Sequence, residues 1–110
     1  MVQEILNRLT EGTAIFNDVI AFIEAKYAHT PTAFKNGTQV NAMDQNQGSA
    51  KVLAFGQLEN LPKEDTLKLF AEHYQAVLDT PEGVDHQNIR QFMINGWEGV
   101  SFEGDALTVK

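Results

Sequence analysis

Apolar residues recur at helical spacing through most of this chain. Val2, Ile5, Leu6 and Leu9 fall at i, i+3, i+4 and i+7, which predicts a short amphipathic helix stopped near Gly12. Thr13 can cap the next helix, predicted over 14–28. Its buried stripe is Phe16, Val19, Ile20, Ile23 and Tyr27, widened by Phe22. Thr30-Pro31 ends it, because the residue before proline avoids the α region. Ser49 stands where an N-cap belongs, ahead of Val52, Phe55 and Leu58, although "KVLAF" also reads as a buried strand. Pro62 opens the longest stripe, Leu67, Phe70, Tyr74, Val77 and Leu78, which predicts a helix over 62–79. "TPEG" stops it at 80–83.

The last third of the chain changes period. Ile89, Phe92 and Met93 mark a helix over 86–95, with Asp85 as the predicted N-cap and Asn95-Gly96 as the stop. Val100 and Phe102, then Leu107 and Val109, alternate with polar residues about a Gly104-Asp105 turn. That pattern predicts a C-terminal β-hairpin, which needs the helices beneath it to be stable. Phe102 and Leu107 are expected to face those helices. Trp97, set between Gly96 and Gly99, either fills the joint between helix and hairpin, with its N–H on an acceptor, or is offered to a partner. The expected fold is α+β: four or five helices around one core, with a C-terminal β-hairpin.

Residues 29–48, "HTPTAFKNGTQVNAMDQNQG", have no helical period. Asn, Gln, Thr and Gly dominate, and Asn36-Gly37 is a turn signal. Phe34, Val40 and Met43 are isolated apolar residues that would pin a long loop to the core. Loops of this length inside a compact domain are usually functional. The loop is expected to cross near the start of the 86–95 helix.

Composition narrows the function classes. A chain of 110 residues with a hydrophobic fraction of 43% supports one domain, 1–110, and one core. It has no cysteine, so disulfides, thiolate nucleophiles and Cys-bound metals are excluded. Fifteen acids against eight bases give a net charge of −7, and the bases are scattered singly. Nucleic-acid binding and attraction to an anionic membrane are therefore not expected. No apolar run approaches bilayer length, and "MVQEILNRLTEG" lacks the basic and apolar regions of a secretory signal. A place in the cytoplasm is compatible with these features.

The polar residues of the two distinctive stretches form the candidate site: His29, Asn36, Asn41, Asn46, Asp85, His86, Asn88 and Arg90. In the functional reading, the 29–48 loop folds over the start of the 86–95 helix. Unpaired N–H groups and partial positive charge there favour a small anion, and Arg90 adds a fork for carboxylate or phosphate. In the structural reading, Asp85 caps the helix and the amides satisfy an irregular backbone. No metal is expected, because His29, His73 and His86 have no ligand spacing. No cofactor motif is present, and neither Ser49 nor Ser101 sits in a nucleophile elbow.

"HTPTAFKNGTQVN", "NQGSAKVLAFGQL", "TLKLF" and "DHQNIRQFMINGWEGVSFEGDAL" together resemble the HopJ type III effector family almost from end to end. The resemblance implies a small, mainly helical bacterial protein and a candidate for secretion into a host cell. It implies no established activity, cofactor or catalytic residue. Family members often carry Cys in the run matching "GSAK", where this chain has Ala50. The expected role is a binding or interaction module with a protein partner or a small anionic ligand. The alternatives are bacterial housekeeping, and a ligand or enzymatic site at the 29–48 loop.

Overall fold

The computed structural model describes residues 2–110. Six α-helices are present among them: α1 (Val2–Glu11), α2 (Phe16–Lys26), α3 (Gln47–Leu58), α4 (Lys63–Lys68), α5 (Glu72–Asp79) and α6 (Gln87–Asn95). Five short strands accompany them: β1 (Tyr27–His29), β2 (Phe34–Asn36), β3 (Gln39–Asn41), β4 (Val100–Phe102) and β5 (Leu107–Val109). The fold is α+β as expected, with more helices than the periodicity predicts.

The extra helix comes from a break in the long stripe. The helix expected over 62–79 stops at Lys68 and resumes at Glu72, with Ala71 between at φ 54°, ψ −124°. Leu69 and Phe70, which lie in the break, are both buried. Other boundaries move for local reasons. Thr13 does not cap α2; its hydroxyl donates back to the Arg8 carbonyl at 3.2 Å. Asp18 instead accepts the Ile15 N–H at 2.9 Å, across the first turn of α2. The helix expected to reach 28 ends at Lys26, where Tyr27 turns extended and begins β1. Ser49 is not an N-cap, since α3 starts two residues earlier at Gln47, after Asn46 at φ 52°.

The two C-terminal strands form where expected but do not pair with each other, so the predicted hairpin is corrected. β4 pairs with β2, placing Phe34 opposite Phe102, and β5 pairs with β1, placing Tyr27 opposite Val109. The stretch expected to be loop supplies β2, and the end of the helix expected over 14–28 supplies β1. β2 and β3 form their own hairpin, with Asn36 opposite Gln39 and Gly37 at φ 62° in the turn. A side chain at 37 would also strike the Gln91 amide, its Cβ 2.3 Å from Oε1.

One continuous core gathers Ile5, Val19, Ile23, Phe55, Phe70 and Phe92, all nearly inaccessible to solvent. Phe102 stacks on Phe34 with ring centroids 5.0 Å apart, and Leu107 is buried beside it in the core cluster. Trp97 is half-buried: its ring meets Phe92 edge-on at 4.8 Å and its N–H donates to the Leu61 carbonyl at 2.9 Å. Gly56 makes room for that ring, because a Cβ there would come within 2.9 Å of it.

Candidate functional site

α6 begins from a tied loop. Arg90, only 9% exposed, reaches back over residues 80–85. Its guanidinium donates to the Thr80 carbonyl at 2.8 Å, the Thr80 hydroxyl at 3.2 Å, the Asp85 carbonyl and the Asp85 carboxylate at 2.6 Å. A buried cation requires such partners. Gly83 leaves room for it, since a Cβ there would approach Nη2 to 2.7 Å. The Arg90 guanidinium in turn holds the Asp85 carboxyl below the usual carboxylate range.

Asp85 is therefore not the predicted cap. Its carboxylate serves Arg90, and the N-cap residue is His86, at φ 50°, ψ 48°, with no side-chain cap bond. The His86 carbonyl accepts the N–H groups of Ile89 and Arg90 at 3.0 and 3.1 Å. α3 starts in the same way. Asn46 takes φ 52°, ψ 40°, and its carbonyl accepts the Ala50 N–H at 3.1 Å.

A buried amide network joins these two starts. Asn41 and Asn88 exchange side-chain hydrogen bonds at 3.2 and 3.0 Å. Asn46 donates to Asn41 Oδ1 at 2.8 Å, and Asn36 donates to the Asn88 carbonyl at 2.6 Å. Asn36, Asn41 and Asn88 are all buried, and Asn36 Oδ1 meets no donor among the described residues. The β2–β3 hairpin is thereby pinned onto the first turn of α6. The expected crossing of the 29–48 stretch near that helix start is present.

In front of the network lies a cavity of about 310 Å³. His73, His86, Asn46 and Ser49 give it polar walls, and Phe16 and Phe70 give it an apolar one. The His73 and His86 rings are tilted against each other with centroids 5.2 Å apart, and Phe16 meets His73 edge-on at 4.8 Å. Gly48 contributes only backbone to the lining, and a Cβ there would touch the Phe16 ring at 3.4 Å. The Gln47 and Gly48 N–H groups of α3 and the Gln87 and Asn88 N–H groups of α6 precede the first intrahelical bond, and both helix starts carry partial positive charge.

The candidate residues thus divide. Asn46, His86 and Asn88 line the cavity, while Asn36 and Asn41 stand behind it in the network. His29 lies elsewhere, donating from Nε2 to Gln47 Oε1 at 3.2 Å. Asp85 and Arg90 belong to the loop tie, which commits the fork expected to hold an anion. The sequence reading missed His73, Phe16 and Phe70. His73 lies on α5 and His86 at the start of α6, 13 residues apart, and no spacing rule joins them. Among the described residues, no group of three or more His, Asp or Glu is placed to hold a metal ion.

These features define a small α+β domain with a polar cleft between two helix starts. The chain belongs to the family described as HopJ type III effector protein, which matches residues 2–107 and bears out the resemblance read from the "DHQNIRQFMINGWEG" run. It is also similar to a solved structure, the crystal structure of the unknown function protein VPA0580. The two are 46% identical with a TM-score of 0.90, over 100% of this chain and 94% of that one. None of the curated proteins matches this chain. Ala50 is fully buried and suits a small side chain. Among the described residues no helix is long and apolar enough to cross a membrane.

Proposed function

We propose that this HopJ protein is a binding module whose cleft, between the starts of α3 and α6, takes a small anionic ligand. The observation that carries the reading is the His73–His86 pair, 5.2 Å apart at the wall of a cavity of about 310 Å³. Two helix starts add positive potential there. Phe16 and Phe70 add a flat apolar wall, so an acid group on a planar body fits better than a bare inorganic ion. Catalysis at the same cleft has less support. Among the described residues, neither imidazole is hydrogen-bonded to a carboxylate. Asp85 serves Arg90, and Glu72 accepts the Phe16 N–H at 2.7 Å. Ser49 therefore has no oriented base beside it.

The family description supports delivery into a host cell.

The test is an NMR titration of the full chain with benzoate, and with benzamide as the neutral control. Benzoate is expected to shift the amides of Gly48, Ser49, Gln87 and Asn88 and the rings of His73 and His86. It should bind about tenfold more tightly than benzamide, and His86→Ala should remove that preference. Equal binding of the two probes, or shifts confined to another face, would overturn the assignment.

A further inference from the structure

On the far side of α6 from the amide network, the surface is apolar without a packing reason. A groove of about 400 Å³ runs between α5 and α6; Val77, Leu78, Pro81, Met93 and Ile94 form its apolar lining, beside Gln87, Arg90 and Gln91. Leu78 and Ile94 are 45% and 73% exposed, and Val84, on the loop that forms one wall, is 81% exposed. Single exposed apolar residues are ordinary, but Leu78 and Ile94 lining one groove, with Val84 on its wall loop, mark a contact surface.

The wall is rigid. Arg90 ties residues 80–85 to α6 from beneath, and Gln87 Nε2 donates to the Val84 carbonyl at 2.7 Å. Val84 is thus held outward by a fixed loop, which lowers the ordering cost of binding.

Charge selects the occupant. Asp79 and Glu82, chain neighbours of the lining residues Leu78, Pro81 and Gly83, are exposed, as is Asp85. Two cations approach it, and both are committed. Arg90 is buried and paired with Asp85, and Lys63 donates to the Met93 carbonyl at 3.1 Å. A second copy of this chain would bring the same acids face to face, at a net charge of −7 each. We infer that this groove docks a basic amphipathic helix of a partner protein, with apolar side chains on Leu78, Val84 and Ile94 and Lys or Arg against Asp79 and Glu82. The contact follows the helix-in-groove mode, in which anchors at i, i+3, i+4 and i+7 enter an apolar furrow.

The test uses two synthetic helical peptides with the same Leu heptad spacing, one with Lys and one with Glu on the polar face. The isotope-labelled full chain is titrated with each. The Leu/Lys peptide is expected to bind and shift the amides of Leu78, Val84 and Ile94, while the Leu/Glu peptide leaves them unmoved. Ile94→Asp and Val84→Asp, both at exposed positions and checked for native circular dichroism, should each weaken binding about tenfold or more. Three results would overturn the inference: Leu/Lys shifts mapping to another face, an unchanged affinity in both variants, or concentration-dependent self-association of the free chain through these residues.

Discussion

Asn41 and Asn88 each donate from Nδ2 to the other's Oδ1, at 3.2 and 3.0 Å, across a separation of 47 residues. Both side chains are buried, so the pair replaces water for four polar groups at once. It is the bond that fixes the β2–β3 hairpin over the start of α6. Asn88→Ala is expected to cost about 1–3 kcal/mol, because the Asn41 amide is left buried with fewer partners. Urea unfolding measures the loss, and a variant as stable as the parent would contradict the role given to the network.

Arg90 and Asp85 differ in what they hold, although they touch. Arg90 satisfies two loop carbonyls from a buried position, whereas the Asp85 side chain is 67% exposed and makes no cap bond. Arg90→Ala is expected to cost about 1.5–3 kcal/mol, as loss of the charged hydrogen bonds that tie the loop. Asp85→Ala should be much milder, since no helix cap is removed. Thermal melts of the two variants check the ranking; a larger drop for Asp85→Ala would restore the cap and discard the loop tie.

The joint between α2 and β1 sets the pH profile. Glu59 Oε2 accepts from the Tyr27 hydroxyl at 2.7 Å and from Lys26 Nζ at 3.0 Å. The hydroxyl first, then Lys26, holds the Glu59 carboxyl below its ordinary value of 4.5. Burial, and then Glu59, push the Tyr27 hydroxyl from 10.0 up to about 12. The signs are opposite. Glu59 binds its proton less tightly in the folded chain, so its contribution is present above 4.5 and is lost as pH falls through the lowered value. Tyr27 binds its proton more tightly when folded, so its contribution is present below 10.0 and is lost as pH rises towards about 12. Glu24, lowered by Lys51, and Asp85, lowered by Arg90, add to the acid limb. Glu59→Gln should therefore soften acid unfolding without abolishing it, and Tyr27→Phe should flatten the alkaline limb. Unfolding free energies measured across the range test both slopes.

Legibility in the sequence followed the length of each pattern. α1, α2 and α6 carry apolar stripes over several turns, and their positions were readable to within two or three residues. The strands are three residues each, too short for alternation to register; β1 continues the apolar stripe of α2, and β2 and β3 disappear into a polar stretch. β4 and β5 did alternate, but alternation says nothing about partners, and a turn signal between them suggested the nearer pairing. At Ala71 the core overrode propensity, breaking a stripe that looked continuous. The candidate site was half legible: amides clustered in the sequence proved to be clustered in space. His73 carried no mark, because cleft membership is decided by how α5 packs after that break.

The pairing of β1 with β5 also imposes an order in time. Tyr27 finds its ladder partner in Val109, 82 residues further along the chain, and Lys110 closes the ladder by donating its N–H to the Lys26 carbonyl at 3.2 Å. A chain emerging from a ribosome or threading through a narrow conduit, N-terminus first, carries β1 with its edge open until β5 has followed it out. Pulling on the C-terminus meets the opposite situation, because β5 is the first strand to peel away and its departure uncovers Leu107 and the Tyr27 edge together.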